Sequence, residues 1–380
     1  MPNHGARPED WLALILTPGL GPRRFAELAA SLGPDQPWFS ASDRALLKAG
    51  LGEEQLHQLR KPDPEALARC LAWLESPSHH LITLDDPLYP PLLRQISAPP
   101  AALFVVGDPM PLVQPQIAIV GSRNATRSGL EHARDFARTL AQRGFVVTSG
   151  LALGIDGQAH EACLEAGGTT IAVMGTGPDR IYPARHRQLA HRIVPQGALI
   201  TQFPPGTEAR PGHFPARNRL ISGMALGTLV VEAGLRSGSL ITAREAAEQG
   251  REVFAIPGSV HNPLARGCHQ LIREGARLVE TADELIEAIA PLAGELAGTL
   301  RGLLALPEAS SLDMPAPPPH ISLDPDYQHL LEIIGHDPLP IDQIIQGSEL
   351  TAAEVSSMLL MLELEGWIEA HPGGRYSRSR

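Results

Sequence analysis

Lysine is nearly missing from this 380-residue chain: only Lys48 and Lys61 occur. Every fixed cation beyond residue 62 is therefore an arginine, whose planar fork suits phosphate oxygens and the faces of bases. Cysteine is scarce too. Cys70, Cys163 and Cys268 are odd in number and far apart, which excludes a disulfide framework and points to reduced thiols in a cytoplasmic protein. None stands in a Cys-x-x-Cys or Cys/His cluster, so no structural zinc is expected. Aromatic residues make up only 4% of the chain, so any stacking on bases has to be sparse. Long apolar runs are also lacking. The N-terminal run spans Leu12 to Leu16, too short for a signal peptide, and no run approaches the ~18 residues of a membrane span.

What is present suits a protein of two or three domains with a sizeable core: 43% hydrophobic and 19% charged residues. The net charge of −11 argues at first against a nucleic-acid partner, but its distribution is uneven. Residues 210–277 hold nine Arg and five Glu, and residues 121–144 hold five Arg and two acids. Residues 320–380 hold three Arg and ten acids. The base lies in the middle and the acid in the tail. Two readings are open: a basic face for a polyanion, or ordinary solvated surface in an arginine-rich chain.

Four segments are expected. Residues 1–80 read as a small helical domain of SAM or helix-hairpin-helix type, with Pro18-Gly19-Leu20-Gly21-Pro22 as a tight turn between helices. Such a turn lets backbone approach a phosphate or simply joins two helices. Residues 81–290 alternate short apolar runs with helical stretches. The runs are IAIV (117–120), FVVTS (145–149), TIAVM (170–174), ALIT (198–201), TLVVE (228–232) and VFAIP (253–257). That pattern predicts a Rossmann-like, doubly wound α/β domain with a mainly parallel sheet, which binds ligands beyond the carboxyl ends of its strands. Residues 291–320 lose periodicity, end in proline and read as a Pro/Ala-rich linker. Residues 321–380 follow the order of a winged helix-turn-helix. No internal repeat at a fixed period is apparent.

The strand ends are rich in small residues: Gly121-Ser122-Arg123, Ser149-Gly150 through Gly154 and Asp156, Gly175-Thr176-Gly177, Ser237-Gly238-Ser239 with Thr242, and Gly258-Ser259. Glycine allows backbone N–H groups to converge, and helix N-termini add positive potential. Several such loops on one sheet edge, with Arg123 and the Arg217-Asn218-Arg219 run at their rim, suit a polyanion whose phosphates recur along a line. The dinucleotide fingerprint and the P-loop are both missing, so no nucleotide cofactor is expected. Asp156 and His160 have a spacing that could share a metal, but an Asp in a first helical turn more often serves as a cap or dipole partner. Glu232 reads equally as a general acid or base, as an acceptor for loop N–H groups, or as a brace for an arginine. His213 reads as an exposed loop histidine. Phe214 and Tyr182 are the stacking candidates, and Phe203 reads as core.

Taken in order, GSRNATRSG, TSGLALGIDGQAH, MGTGPDRIYPARH, FPARNRLISG, VVEAGLRSGSLITAREAAEQGREVFAIPGS and GCHQLIREGA closely resemble the DprA/Smf family of bacterial DNA-processing proteins. The resemblance is dense over about 80–280, and the flanking domains fit its order. It implies a homodimer that binds and protects single-stranded DNA and helps load the RecA recombinase in natural transformation, without being an enzyme. It carries DNA contact onto Gly121, Ser122, Arg123, Ser149, Gly150, Gly154, Asp156, Arg217, Asn218, Arg219, Ser237, Gly238, Ser239 and Thr242. His269 stands where the family usually has Asn. The lysine of some relatives is lacking, and Arg180, Arg185 and Arg187 are candidates to replace it.

The helix TAAEVSSMLLMLELEG carries Glu354, Glu363 and Glu365, with Glu369 just beyond and no Arg or Lys. Repulsion from phosphate opposes its entry into a DNA groove, so a protein-contact or autoregulatory role is expected, despite Arg375, Arg378 and Arg380 in the wing. The alternative to a binding protein is a nucleotide phosphoribohydrolase on a related core. Its Pro-Gly-Gly-x-Gly-Thr loop is replaced here by Arg236-Ser237-Gly238-Ser239-Leu240-Ile241-Thr242. A sequence-specific regulator acting through the winged helix is disfavoured by the acidic helix.

Overall fold

The computed structural model describes residues 6–33, 37–303, 325–335, 339–348, 350, 355, 358, 359, 362, 367–371 and 375–378. The chain divides into two compact units, Met1–Leu306 and Pro307–Arg380.

The first unit begins with five helices: α1 (Pro8–Leu16), α2 (Pro22–Leu32), α3 (Asp43–Lys48), α4 (Glu53–Arg60) and α5 (Pro64–Leu74). Proline opens α1, α2 and α5, where its missing N–H costs nothing. Ser42 and Asp63 cap α3 and α5 through their side-chain oxygens. Trp11, Phe25 and Trp38 meet edge to face, 5.4–6.2 Å apart, in the core of this helical group. A local duplication escaped the sequence reading. Gly19-Leu20-Gly21 joins α1 to α2, and Gly50-Leu51-Gly52 joins α3 to α4. In both, the first glycine has positive φ, the leucine is buried and the second glycine caps the next helix. The hairpins grip one another reciprocally. Arg24 donates to the Gly50 carbonyl at 2.8 Å, and Gln55 donates to that of Pro18 at 3.3 Å. Those carbonyls and side chains are turned to each other, which favours the simple joining role for the first turn.

A nine-stranded sheet follows, in the order β1-β2-β6-β5-β4-β3-β7-β8-β9. Its strands are β1 (His79–Thr83), β2 (Ala102–Gly107), β3 (Gln116–Val120), β4 (Val146–Ser149), β5 (Thr170–Val173), β6 (Gly197–Thr201), β7 (Gly227–Val230), β8 (Glu252–Ala255) and β9 (Arg277–Leu278). The six strands expected from apolar runs are all parallel to one another. Three were not foreseen. β1 and β2 add an antiparallel edge beside β6, and β9 is a two-residue strand beside β8. Helix α6 (Pro91–Arg94) lies between β1 and β2.

The pleat sends alternate residues to opposite faces. Ile117 and Ile119 face a core completed by α7 (Arg127–Gln142), α8 (Ile155–Glu165) and α13 (Ala282–Leu303), whereas Ala118 and Val120 face one completed by α10 (His213–Met224), α11 (Ser239–Glu248) and α12 (Arg266–Arg273). Helix α7 shows why such segments are helical. Ala133, Phe136, Ala137 and Leu140 recur at one-face spacing and are buried, and Thr126 caps the first turn by accepting from Gly129 N–H. Burying a side chain such as Phe136 contributes about 2–3 kcal/mol. Helix α9 (Arg187–Ile193) lies between β5 and β6. One boundary differs from expectation: α13 runs through Pro291 to Leu303, with Leu296 buried, so the chain does not leave helix at 291. The rest of the expected linker lies outside the described residues.

In the second unit, α14 (Pro325–Ile333) and α15 (Ile341–Ser348) accompany an antiparallel sheet, β10-β12-β11. Its strands are β10 (Leu339–Pro340), β11 (Ile368–His371) and β12 (Arg375–Arg378). Leu330, Leu331, Ile334, Ile344, Val355, Leu359 and Leu362 form its core. Of the acidic residues, Glu369 lies on β11, while Glu354, Glu363 and Glu365 lie outside the described residues. Arg375 and Arg378 lie on β12, and Arg380 is outside.

Candidate nucleic-acid interface

The strand order reverses at β3. The chain steps away through β4, β5 and β6, then returns to place β7 on the other side. The helices after β3 and β7 therefore leave on opposite faces, and a crevice opens at their carboxyl ends. Here Ser122 N–H donates to the Glu232 carbonyl at 2.7 Å. The Glu232 carboxylate takes the Thr126 N–H at 2.9 Å, the Thr126 hydroxyl at 2.6 Å and the Asn262 amide at 3.3 Å. Of its three readings, acceptance of loop donors is the one this geometry supports. An added Cβ at Gly129 would collide with that carboxylate.

The loops after β3, β4 and β7, with the start of α10, enclose a cleft of about 770 Å³. Ten of the residues expected to touch DNA line it: Gly121, Ser122, Arg123, Asp156, Arg217, Asn218, Ser237, Gly238, Ser239 and Thr242. Four do not. Ser149 is fully buried and donates to the Ile119 carbonyl at 2.6 Å. Buried Gly150 and half-buried Gly154 are close-approach points. A Cβ at Gly150 would strike Arg217 and Asp156, and one at Gly154, where φ is +78°, would strike the Ser122 and Arg123 backbone. Arg219 turns away toward Glu245 and Tyr89, where burial lowers its pKa.

Arg217 differs most from its expected role. Its side chain is only 4% exposed. Nη1 donates to the Gly150 carbonyl and, at 2.8 Å, to that of Val173, tying the loop after β4 to the end of β5. Burial lowers its pKa to about 10, which still leaves it charged at neutral pH. Asp156, also buried, accepts from Gly150 N–H at 3.1 Å and Ala152 N–H at 3.4 Å. Burial raises its pKa, opposed chiefly by the Arg217 charge. His160 is fully buried against the Thr170 hydroxyl at 2.7 Å, and burial lowers its pKa to about 3. Among the described residues, no group of three or more His, Cys, Asp or Glu could hold a metal ion.

The exposed cations of the cleft are Arg123 and Arg236, and neither side chain has an ion pair or hydrogen bond among the described residues. Arg236 was passed over, although it adjoins the Ser237-Gly238-Ser239 loop. Phe214 stands centrally: Arg123 lies 5.8 Å and Arg217 5.9 Å from its ring centre, and Tyr182 is 5.6 Å away, ring to ring. Asn218 reaches across to the Gly238 carbonyl at 3.4 Å, and the Ser237 and Ser239 hydroxyls meet at 2.6 Å. His213 is not the exposed loop residue expected. It opens α10, stacks on half-buried Phe203 at 4.2 Å and bonds the Gly175 carbonyl at 3.2 Å. His269 bonds the Gly258 carbonyl at 3.0 Å through Nε2, so it braces the loop after β8. Arg180 pairs with Glu208 at 3.4 Å and does not line this cleft.

Comparison with known proteins agrees with this architecture. A family model described as DNA recombination-mediator protein A matches residues 80–290, and one described as the DprA winged helix domain matches 314–374. Protein Smf of Escherichia coli (strain K12) is 43% identical over 336 residues, covering 88% of this chain and 87% of that protein. DNA processing protein DprA of Bacillus subtilis (strain 168) is 39% identical over 261 residues, covering 68% and 86%. The crystal structure of DprA from Streptococcus pneumoniae superposes with a TM-score of 0.64 at 34% identity, covering 73% of this chain and 95% of that one. DprA from Helicobacter pylori, solved to describe its single-stranded DNA binding mode, superposes with a TM-score of 0.51 at 29% identity, covering 56% and 96%.

Proposed function

This chain belongs to the DprA/Smf family of DNA recombination mediators, and from that premise we propose that its main cleft binds single-stranded DNA. The observation that carries the proposal is the placement of Arg123 beside Phe214, with Arg236 on the same cleft's lining and neither arginine paired among the described residues. Arginines at the rim hold phosphates and the phenyl ring offers a stacking platform, two kinds of contact that tolerate any base. Ser122, Asn218, Ser237, Ser239 and Thr242 supply further polar contacts, with Gly121 and Gly238 leaving room for the strand. Arg217, Asp156, Ser149, Gly150 and Gly154 act beneath it, holding the loops in place. Binding is then dominated by phosphate and falls steeply with salt.

The wider role follows the family: a cytoplasmic homodimer that protects incoming single strands and helps load RecA during natural transformation or homologous recombination. In this reading residues 1–80, 81–290 and 321–380 act as helical, DNA-binding and winged-helix modules, joined by a linker within 291–320. The acidic C-terminal module meets protein instead of DNA. The protein is a binder and not a hydrolase. Among the described residues, the sole carboxylate lining the cleft is Asp156, engaged with backbone N–H groups, and Glu232 is taken up by Thr126 and Asn262.

Fluorescence anisotropy with labelled oligo-dT and matched duplex across a salt series tests this. Strong single-strand preference that Arg123→Ala and Arg236→Ala reduce supports it. Tight binding indifferent to both variants moves the site to another surface. Release of free base from a nucleoside monophosphate overturns the non-catalytic reading.

A further inference from the structure

A second cleft, of about 710 Å³, opens between the end of α5, β1 and the segment after β5. Its lining includes Trp73, His79, Tyr182, Arg187 and His191. Tyr182 links it to the main cleft: the residue is 51% exposed, lines the second cleft and packs its ring beside Phe214 of the first. Elsewhere on the lining, Trp73 and His79 stack nearly parallel, 4.2 Å apart and 11° off plane. The His79 Nδ1 bond to the Trp73 carbonyl, at 2.7 Å, fixes that pair. Flat aromatic surface is therefore preformed on the cleft's lining at Tyr182 and at the Trp73–His79 pair.

Asp179 and Glu208 line the cleft as well, but the chain between them is one-sided in charge. From Arg180 to Thr207 the sequence holds four arginines, His186 and His191, and no acid. Arg180 is engaged by Glu208 and lies near Asp179. Arg185, Arg187 and Arg192 are exposed and have no ion pair among the described residues. In a chain of net charge −11, a self-repelling cationic surface next to an aromatic cleft marks a place for a polyanion.

We propose that this cleft is a second subsite for the DNA strand. Nucleotides leaving the main cleft pass over Tyr182, set a base toward the Trp73–His79 wall, and place phosphates on Arg185 and Arg187. The inference rests on the single-strand reading above and extends its footprint toward the helical group. Its ligand is a single-stranded polynucleotide long enough to span both clefts, not a mononucleotide.

The test uses the full chain and labelled oligo-dT of about six and about sixteen nucleotides, titrated across salt. The proteins are wild type, Arg123→Ala and Arg185→Glu/Arg187→Glu. The charge reversal should weaken the longer strand about tenfold or more and lower its salt slope by about 1.4, two phosphates' worth. The shorter strand should be held within about twofold of wild type. Unchanged binding of the longer strand, or equal loss at both lengths, overturns the subsite. If the longer strand is unaffected while Arg123→Ala still loses both, the main cleft stands and the basic surface belongs to an acidic protein partner. If wild type binds neither length, the single-strand reading falls, and this inference with it.

Discussion

The rim and the floor of the main cleft employ the same residue types to opposite ends. At the rim, Arg123 and Arg236 are exposed and, among the described residues, unpaired. On the floor, Arg217 is 4% exposed and committed to the Gly150 and Val173 carbonyls, with Asp156 bound to loop N–H groups beside it. Arg123 and Arg217 lie almost equally far from one phenyl ring, Phe214. Burial, not residue type, decides which of them is available to a ligand. A desolvated guanidinium has to be satisfied by the protein itself, whereas a hydrated one is free to exchange water for phosphate.

The contrast breaks most visibly at the floor. Arg217→Ala leaves Asp156 buried without its chief opposing charge and two carbonyls without their donor. It should cost about 3–5 kcal/mol of stability, read as a lowered urea midpoint; an unchanged midpoint would mean that Arg217 is not a strut. Gly154→Ala forces a side chain into a left-handed backbone position and into the Ser122 and Arg123 backbone. A loss of about 2–3 kcal/mol is expected on the same measurement.

The rim should respond the other way. Arg123→Ala is expected to weaken oligo-dT binding about tenfold and to flatten the salt slope by about 0.7, while stability stays within about 0.5 kcal/mol. Equal damage to stability and binding would erase the distinction between rim and floor.

Acid sharpens the comparison further. The buried His160 has its pKa lowered from 6.5 to about 3, so between those values the unfolded chain takes up a proton that the folded chain refuses. Stability contributed by the neutral imidazole is therefore lost as pH falls below 6.5, by at most about 1.4 kcal/mol per pH unit. Buried Asp156, with its raised pKa, works in the opposite sense, as it is protonated more readily in the fold. His160→Gln should flatten the decline between pH 6.5 and 5 in urea melts; an unaltered slope would assign the decline elsewhere. The smallest effect is expected at His269. His269→Ala removes one exposed bond to the Gly258 carbonyl and should cost about 1 kcal/mol, while His269→Asn retains part of it.

Legibility in the sequence followed local signal strength. The six central strands could be read because strands covered on both faces are continuous apolar runs between small-residue loops. β1 begins with two histidines, and β9 has only two residues, so neither carries a period long enough to recognise. The paired Gly-Leu-Gly turns were written plainly but gained meaning only when Arg24 and Gln55 were seen to reach across. Glycine density marked the loops that line the cleft, and Arg123 lies exposed on that lining. Arg217 and Arg219, two residues apart on a helix, were read as a pair, yet neighbours at that spacing point to different sides. One enters the floor of the cleft and the other turns toward Glu245.

The sequence by itself determined the family, the doubly wound sheet and the loops that gather at its carboxyl edge. Hydrophobic periodicity and turn chemistry are local properties, and six motifs in one order are specific. Tertiary structure alone decided which arginines are free, which carboxylate is spent on loop donors, and that Tyr182 joins two clefts. Those outcomes depend on desolvation and on distances between segments remote in the chain, and no local pattern encodes either.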